Sequence, residues 1–345
     1  MRALRLTAPR TFRWDNDPDP IPGPGEVLVA VRAVGVCASD LHMYSHGQIG
    51  DTALESPLIL GHEASGVVAA TGQGVTHVKE GQLVAVDPAI PCRTCEHCLQ
   101  GNPNLCRDLR FFGIWPHDGV LREQLAHPAS LVYPLQERFS AVDAAMLEPL
   151  GVAIHAVDLG HVRPGSSVSV HGCGPIGLLV LQAARAAGAT YLIAIEPIPG
   201  RRAMALEGGA DHALDADGSQ VEQILRLTDG RGVDVAFEAA GENRAVEDAV
   251  EAAKPGARVL LIGIPVDDRT HFRASAARRK GLSLLLCRRM KHTYPRAIAL
   301  VQDGRIDLRG LVTHHIPFEQ APRAFDLVER RAEGVIKAVI EIPDT

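Results

Sequence analysis

The sequence lacks three features, and each absence narrows what the protein can do. No run of about 18 uninterrupted apolar residues is present, so no membrane-spanning helix is expected. The amino terminus, MRALRLTAPRTFRW, lacks an apolar core followed by a small-residue cleavage site, which disfavours secretion. Positive charge is not in excess, since the formal net charge is −6, and this argues against nucleic-acid binding. We therefore expect a cytoplasmic protein with a small-molecule partner.

Cysteine is infrequent but unevenly placed. Without a secretion signal, the 7 cysteines among 345 residues favour metal or catalytic use over disulfides. Four of them, Cys92, Cys95, Cys98 and Cys106, follow the spacing CxxCxxCx7C. Four soft ligands in one lobe can surround Zn²⁺ tetrahedrally and leave no position for a substrate, which predicts a structural zinc. An iron–sulfur cluster or redox thiols are the alternatives.

Two kinds of periodicity divide the chain. Before about residue 152, short β-rich runs alternate with Gly, Pro and Asp, which predicts a barrel-like, strand-rich domain. The later runs SSVSVHG, GPIGLLVLQAARAAGA and YLIAIE predict strand, helix and strand, and hence a Rossmann-type α/β domain with a parallel sheet. We place the first domain at 1–151 and 290–345, with the zinc lobe near 92–106, and the second domain at 152–289.

A glycine-rich turn opens the first helix of the predicted α/β domain. The motif GCGPIG follows the strand SSVSV and has the form GxGxxG. Its first glycine permits a tight turn, its second lets the backbone approach a pyrophosphate, and its third allows close packing of helix and strand. A packing turn without a ligand is the alternative. The residues expected to contact a dinucleotide are Gly172, Gly174, Pro175, Ile176 and Gly177.

Glu196 ends the next predicted strand and indicates NAD. A carboxylate at that position can accept hydrogen bonds from the adenosine ribose and repel a 2′-phosphate. Arg201 and Arg202 argue in the other direction, because a guanidinium can accommodate a 2′-phosphate. We predict NAD because Glu196 holds the strand-end position, and we count Arg201 among the cofactor contacts.

Four residues of the first domain could form a second metal site. Cys37 lies in VCASDLH, His62 and Glu63 lie in GHEASG, and Glu148 lies in MLEPLGVAIHA. A thiolate, an imidazole and one or two carboxylates make a mixed site that can keep an exchangeable water. Taken singly, each residue has an ordinary explanation in a core or on a surface. Spacing alone does not unite them.

The order of these motifs resembles the medium-chain zinc dehydrogenase family. Its Cys-x-Ser-Asp, Gly-His-Glu, four-cysteine lobe and GxGxxG occur here in the same order over nearly the whole chain. The segments SDLHMYSHGQIGD, PLILGHEASGVV and RRMKHTYPRAI, with the LEPL motif, resemble the sorbitol and xylitol (polyol) dehydrogenase branch. The resemblance implies a mainly β, GroES-like catalytic domain, a Rossmann-type coenzyme domain and a homotetramer.

The resemblance also implies roles for single residues. It assigns Cys37, His62 and Glu63 to a catalytic zinc, with Glu148 as a further ligand, direct or through water. Asp40 resembles the carboxylate that orients the histidine ligand.

Proton transfer has two candidate routes. Ser39 and His42 resemble the family's relay, in which a hydroxyl passes its proton through the cofactor ribose to imidazole. An ordinary polar helix start is the alternative for these two residues. Polyol enzymes can instead use zinc-bound water beside a glutamate, which makes Glu63 and Glu148 catalytic candidates.

Tyr44, Phe111 and Arg289 are the predicted substrate contacts. Arg289 matches the substrate-side arginine of the branch, where it could donate hydrogen bonds to polyol hydroxyls. A solvated basic run is the alternative. Met43 and Met290 stand where the branch commonly has tyrosines, which argues against sorbitol itself.

These features together predict a zinc-dependent, NAD-linked dehydrogenase that oxidises a secondary hydroxyl of a polyol to a ketose. We expect one catalytic and one structural zinc per subunit. A threonine- or butanediol-type secondary alcohol dehydrogenase is an alternative. A phosphorylated polyol is another, because Arg278, Arg279 and Lys280 form a basic run. A noncatalytic NAD- and zinc-binding protein is the alternative from a different class.

Overall fold

A computed structural model describes residues 1–343. The strands, in chain order, are β1 (Arg2–Ala8), β2 (Thr11–Asn16), β3 (Glu26–Gly35), β4 (Gln48–Ile49), β5 (Thr52–Ala53), β6 (Leu58–Ile59), β7 (Glu63–Thr71), β8 (Leu83–Val86), β9 (Ala89–Ile90), β10 (Arg110–Phe111), β11 (Gln124–Pro128), β12 (Val132–Pro134), β13 (Ser167–His171), β14 (Tyr191–Ile195), β15 (His212–Leu214), β16 (Val233–Glu238), β17 (Ala253–Leu261), β18 (Ser283–Leu286), β19 (Val312–Pro317) and β20 (Lys337–Glu341). The helices are α1 (Ala38–His46), α2 (Glu96–Leu99), α3 (Ala141–Ala145), α4 (Leu147–Gly160), α5 (Pro175–Ala186), α6 (Pro199–Glu207), α7 (Gln220–Leu227), α8 (Asn243–Ala252), α9 (Ala274–Lys280), α10 (Tyr294–Gln302) and α11 (Ala321–Glu329). Within residues 1–343, no helix has both the length and the apolar character that crossing a bilayer requires.

A seven-stranded sheet forms the centre of the first of two compact units. This unit contains Met1–Glu148 and the segment from Leu308 onward. The strand order is β12-β8-β7-β3-β20-β19, and β11 also pairs with β3. Alternate valines of β3 are fully buried in the core, as expected for a strand with side chains on both faces of a sheet. The predicted mainly β domain is confirmed.

The register of this sheet brings two distant sequence motifs together. Gly35, the last residue of β3, pairs with Glu63 of β7 on one side and with Val339 of β20 on the other. The chain leaves β3 through Cys37, which precedes α1, and it enters β7 directly after His62. Cys37 and the His62–Glu63 pair therefore meet at one end of neighbouring strands.

The second unit, Pro149–Asp307, contains a six-stranded parallel sheet. Its order is β15-β14-β13-β16-β17-β18, so β14 and β15 lie on one side of β13, and β16, β17 and β18 lie on the other side. This is the doubly wound arrangement, in which ligands bind beyond the carboxyl ends of the strands where the order reverses. The predicted Rossmann-type domain is confirmed, and the loop after β13 lies at the point of reversal.

Helix α10 belongs to this second unit, although the sequence-based boundary at 290 assigns it to the first domain. Arg296 of α10 donates a hydrogen bond of 2.9 Å to Asp158 of α4. Gly151 of α4 has no side chain, and a Cβ there would overlap the sulfur of Met290. These contacts within Pro149–Asp307 explain why the chain leaves the second unit only after Asp307.

His171, at the end of β13, predicts a pH-dependent loss of stability. The side chain is 1% exposed and its Nε2 lies 3.1 Å from the hydroxyl oxygen of Ser169. Burial lowers its pKa to about 3. Since the unfolded chain binds the proton more readily, the contribution of His171 to stability is complete above its unfolded pKa of about 6.5 and is lost as the pH falls towards 3. We expect a loss of about 2 kcal/mol between pH 6.5 and 5 from this residue.

Urea unfolding at pH 7 and pH 5 measures this loss. His171→Leu should reduce the pH-dependent change in the free energy of unfolding by about 2 kcal/mol. His271→Leu, a substitution at an exposed position of the same unit, should keep the wild-type change and is the control. Equal pH dependence in the wild type and His171→Leu would contradict the prediction.

Candidate functional site

Cys37, His62 and Glu63 form a candidate metal centre in the first unit. One ligand atom from each residue lies within 4.8 Å of the other two. His62 and Glu63 are 3% and 1% exposed, and Cys37 is partly exposed. The three residues therefore form a buried group with one side open to solvent.

Asp40 orients the imidazole of His62. The Nδ1 atom of His62 lies 3.3 Å from Asp40 Oδ1, and Asp40 also accepts backbone hydrogen bonds from Cys37 (3.1 Å) and Gly61 (3.2 Å). Burial alone would lower the pKa of His62, but Asp40 and the thiol of Cys37 outweigh it, so the pKa of His62 lies well above its ordinary value. With Nδ1 directed at a fixed carboxylate, Nε2 remains as the ligand atom.

These residues fit Zn²⁺. A histidine that ligates zinc usually directs its other ring nitrogen at a carboxylate or carbonyl, as His62 does with Asp40. Thiolate, imidazole and carboxylate are all zinc ligands, and a site with three protein ligands keeps an open position for substrate. The group thus has the composition of a catalytic rather than a structural zinc site.

Glu148 is buried near this group but is not one of its three members. It is 4% exposed and lies near the amino-terminal end of α4. Burial raises the pKa of Glu148 to about 7, and the carboxylate of Glu63 adds to the rise, while His62 and Lys337 oppose it. A carboxyl group that titrates near neutral pH is suited to accept or release a proton.

Lys337 forms an ion pair with Glu63 Oε2 and donates a hydrogen bond of 2.9 Å to the carbonyl oxygen of Val36. Sequence reasoning missed this residue. Its one signal was a lysine directly before the apolar residues AVI in the final strand KAVIEI.

Helix α1 carries the proton-relay candidates. The Ser39 hydroxyl oxygen lies 3.5 Å from His62 Nε2, beside the metal-ligand group. His42 is three residues further along and shares that helix face, and both residues are partly exposed. Cys37 lies at the amino-terminal cap of α1, and Asp40 accepts the Cys37 N–H as part of a capping box. The same helix start therefore serves both as a cap and as part of the site.

Of the predicted substrate contacts in the first unit, Phe111 lies at the site and Tyr44 lies in the core. The Phe111 ring centroid is 5.2 Å from that of His62. Tyr44 is 3% exposed, stacks on Phe12 at 5.4 Å and donates its hydroxyl to Asp326 at 2.7 Å. Because the Tyr44 hydroxyl is committed to Asp326, it is not placed to donate to a substrate.

The four-cysteine lobe forms a second candidate metal centre. Its four sulfur atoms lie within 4.8 Å of one another, and all four cysteines are free thiols. The Cys92 and Cys98 sulfurs are 4.0 Å apart, and those of Cys95 and Cys106 are 3.9 Å apart. Backbone N–H groups lower the pKa of Cys92 to about 6 and also lower that of Cys95, whereas burial raises the pKa values of Cys98 and Cys106. A closed set of four thiolates fits a structural zinc.

The glycine-rich loop connects β13 to α5 in the second unit. Gly172 has φ +98°, and a Cβ at Gly177 would overlap the carbonyl oxygen of Gly172, so both positions require glycine. Pro175 and Ile176 form the first turn of α5. Arg201 lies nearby, with one guanidinium nitrogen 3.9 Å from where a Cβ of Gly174 would be. Backbone amides and a cation thus surround the position where a pyrophosphate would bind.

Glu196 supports the same loop from the end of β14. Its carboxylate accepts the N–H of Cys173 at 2.8 Å and the N–H of Ile198 at 3.1 Å, and the residue is 3% exposed. Arg202 donates to the carbonyl oxygen of Glu196 at 2.6 Å and pairs with Asp215 at 3.0 Å. Arg202 is therefore engaged in holding the β14–α6 turn.

The basic residues on either side of β18 lie at opposite ends of that strand. Arg278, Arg279 and Lys280 end α9, just before β18 begins, and Lys280 donates to two carbonyl oxygens at the end of α8, at 3.1 and 2.6 Å. Arg289 follows β18, so it lies at the carboxyl ends of the parallel strands, as the loop Gly172–Gly177 does, and it has φ +55°. Of these four basic residues, only Arg289 is therefore on the side of the sheet where a ligand is expected.

Two family models match the chain. Residues 23–137 match the model described as "Alcohol dehydrogenase GroES-like domain", and residues 175–303 match "Zinc-binding dehydrogenase". The chain is 34% identical to the sorbitol dehydrogenase of Bacillus subtilis (strain 168) over 341 residues, which are 99% of this chain and 97% of that protein. It is 37% identical to the D-xylulose reductase A of Aspergillus niger over 335 residues, 95% of this chain and 93% of that one.

Solved structures of dehydrogenases are also similar to this protein over nearly the full length of the chain. An alcohol dehydrogenase of Escherichia coli CFT073 complexed with NADH has a TM-score of 0.91 at 28% identity, with 99% of both chains covered. A Sinorhizobium meliloti 1021 protein bound to NADP has a TM-score of 0.88 at 30% identity, covering 99% of this chain and 98% of that one. The 2R,3R-butanediol dehydrogenase of Bacillus subtilis has a TM-score of 0.89 at 29% identity, with 99% of both chains covered.

Proposed function

Because this chain belongs to the zinc-binding alcohol dehydrogenase family, and is therefore an oxidoreductase, we propose that it oxidises one secondary hydroxyl of a small polyol to a ketone, with NAD as the hydride acceptor. The observation that carries the proposal is the grouping of Cys37, His62 and Glu63 within 4.8 Å, with Asp40 behind the histidine. The sorbitol dehydrogenase and D-xylulose reductase relatives support a polyol as the substrate.

Cys37, His62 and Glu63 would hold the catalytic zinc. When bound, Zn²⁺ supplies Lewis acidity that lowers the pKa of a coordinated hydroxyl and polarises the product carbonyl. Asp40 fixes the imidazole ring, and Phe111 covers it with an apolar surface, which limits the access of water. The chain therefore contributes to the reaction by fixing the metal ligands and by limiting the access of water to them. We propose a second, structural zinc in the lobe formed by Cys92, Cys95, Cys98 and Cys106.

Two groups are placed to move the proton released from the substrate. The hydroxyl of Ser39 adjoins His62, and the partly exposed His42 lies one turn further along α1, which are the positions that the two ends of the predicted relay require. Glu148, with its pKa raised to about 7 by burial, can accept a proton at neutral pH. We assign Ser39 and His42 to the relay, and we assign Glu148, with Glu63, to a carboxylate pair that tunes the site's acidity, with Glu148 binding the metal directly or through water.

NAD is the proposed cofactor. The loop Gly172–Gly177 would hold its pyrophosphate, and Glu196 would face the adenosine ribose and repel a 2′-phosphate. Arg201, close to Gly174, would pair with the pyrophosphate charge. One similar structure is bound to NADH and another to NADP, so the carboxylate of Glu196 is the feature that favours NAD here.

An unphosphorylated polyol fits best. The run Arg278–Lys280 lies at the amino-terminal ends of the strands, opposite the end that carries the cofactor loop, which removes the main reason to expect a phosphorylated substrate. Phe111 and Arg289 remain as substrate contacts, one apolar and one a hydrogen-bond donor. Met43 and Met290 are 0% and 8% exposed and add no hydroxyl donors, so we propose a polyol other than sorbitol. Similarity to 2R,3R-butanediol dehydrogenase keeps a diol as the second candidate.

We further propose a cytoplasmic homotetramer. Among the described residues, β18 pairs only with β17, so its other edge is free for a second copy. Leu286 of β18 is 76% exposed, and Val266, in the loop that follows the neighbouring strand β17, is 71% exposed, so apolar side chains are available at this side of the unit for a contact with a second copy. Seven free cysteines suit a reducing compartment.

The proposal is tested by purifying the zinc-loaded protein and following NADH absorbance across a stereochemically complete panel. The panel contains tetritols, pentitols, hexitols, their phosphates, threonine and 2,3-butanediol, each with NAD and with NADP. We expect one unphosphorylated polyol to exceed butanediol and threonine in kcat/KM by at least about tenfold, because a site built to bind several hydroxyls discriminates against analogues that lack them.

Three other results would redirect the proposal. Preference for butanediol would favour the second candidate, and preference for a phosphate ester would restore the phosphorylated substrate. Inactivity across the panel despite two bound zinc ions would favour a noncatalytic role.

A further inference from the structure

Lys337 is a buried cation facing the metal-ligand group from a neighbouring strand. It is 3% exposed, and its ammonium group contacts Glu63 Oε2 and the carbonyl oxygen of Val36. Val36 directly precedes Cys37, so one ammonium group contacts both chain segments that carry the metal-ligand candidates. Moving a charged lysine side chain out of water is unfavourable unless the charge is paired, so the burial of Lys337 depends on its contacts in the site.

The sheet provides the space for this contact. Glu63, Gly35 and Val339 are paired across β7, β3 and β20, and Lys337 lies two residues before Val339. A Cβ at Gly35 would overlap Glu63 Oε2 and would lie 3.0 Å from Lys337 Cε. Only glycine at position 35 therefore leaves room for the carboxylate and the lysine side chain to meet.

Lys337 also balances charge. Burial alone would lower its pKa, but Glu63 and the Cys37 thiol outweigh burial, and the pKa of Lys337 lies above its ordinary value. The ammonium group of Lys337 faces the Glu63 carboxylate and the Cys37 thiol, so it offsets negative charge that these two ligand candidates bring to the site.

We infer that Lys337 is a positioning residue of the metal site. Its ammonium group holds one oxygen of the Glu63 carboxylate and offsets the charge of that carboxylate. Glu63 therefore stays a weak, exchangeable ligand of the metal. The inference rests on the proposed function, since it assumes a metal at Cys37, His62 and Glu63. Without the lysine, Glu63 is free to turn both oxygens to the metal and binds it more tightly. A lysine that only ties β20 to β3 would have no such effect on the metal.

The test follows cobalt(II) bound in place of zinc at this site. The visible and near-ultraviolet bands of cobalt report its coordination, and subtracting the spectrum of Cys37→Ala removes the contribution of the four-cysteine lobe. Lys337→Met should alter the Cys37-dependent bands and slow their loss to a chelator by at least about tenfold, because a unit positive charge near the metal has been removed. Its kcat should fall while its cobalt content is unchanged.

The double variant Lys337→Met/Glu63→Gln tests whether the effect passes through Glu63. In the Glu63→Gln background, Lys337→Met should change the spectrum and the release rate by less than about twofold. Lys254→Met, which breaks a lysine–aspartate pair with Asp234 in the second unit, is the matched control and should leave the metal bands unchanged. If Lys337→Met does not fold, Lys337→Gln, which can still donate to Val36, replaces it.

The outcomes separate this inference from the proposed function. Unchanged cobalt bands and release in Lys337→Met, or equal changes with and without Glu63, would overturn the role of Lys337 and leave the metal site intact. Identical cobalt spectra in the wild type and Cys37→Ala would instead show that the proposed metal site is absent.

Discussion

Replacing Cys37 or His62 with alanine is expected to lower kcat for the NAD-linked reaction by at least about a thousandfold and to remove one of the two bound zinc ions. Each substitution takes one ligand from a group of three, and His62→Ala also leaves the buried carboxylate of Asp40 without its partner. Turnover with the preferred polyol and zinc content per subunit are the measurements.

NADH binding should survive these substitutions. The residues proposed to hold the dinucleotide, Gly172–Gly177 and Glu196, all lie in the second compact unit, while Cys37 and His62 lie in the first. Quenching of intrinsic fluorescence or calorimetry with NADH should give a dissociation constant within about threefold of the wild-type value, a difference under 1 kcal/mol. Cys287→Ala, outside both cysteine-containing metal groups, should keep both zinc ions and serves as the control.

Loss of the folded state in Cys37→Ala would contradict the catalytic assignment. A catalytic zinc with an open position contributes little to holding the chain together, whereas a structural zinc contributes directly to folding. Circular dichroism of the variant separates the two cases, since the seven-stranded sheet should remain when only the catalytic metal is lost.

The sequence predicted the architecture where the local pattern determines the structure. The valine-rich run of β3 (EVLVAVRAVG) and the apolar run of β14 (YLIAI) have the composition of buried strands. The glycines of GCGPIG could be identified because positive φ and close packing at Gly172 and Gly177 leave no other residue type possible.

Contacts between distant segments could not be predicted from local pattern. Lys337 reaches Glu63 only because β20, β3 and β7 are neighbours in the sheet, and the order of strands is not a property of any one segment. The same limit applies to Tyr44, whose hydroxyl is engaged by Asp326 of α11, far along the chain. The positions of the basic residues could not be predicted for the same reason, because Arg278–Lys280 and Arg289 are close in sequence but lie at opposite ends of β18.

The four-cysteine lobe should be the other part of the chain most sensitive to substitution, although it lies outside the candidate active site. Its α-helix, α2, has four residues and none of them is buried, and Leu99 and Leu105 are 76% and 42% exposed. The lobe therefore has almost no apolar core, and the four thiolates are left to hold it through zinc. Removing one ligand should unfold it.

Cys98→Ser is expected to lose the structural zinc, to lower the melting temperature of the first unit by about 10 °C and to open residues 92–106 to proteases. The shift follows from the loss of several kcal/mol of metal binding that only the folded lobe can gain. Calorimetry, zinc counting and limited proteolysis with mass spectrometry measure the three effects, and Leu99→Ser, an exposed substitution in the same lobe, is the control. A Cys98→Ser protein that keeps both zinc ions and resists cleavage would contradict the assignment, because the lobe would then owe its fold to contacts other than the metal.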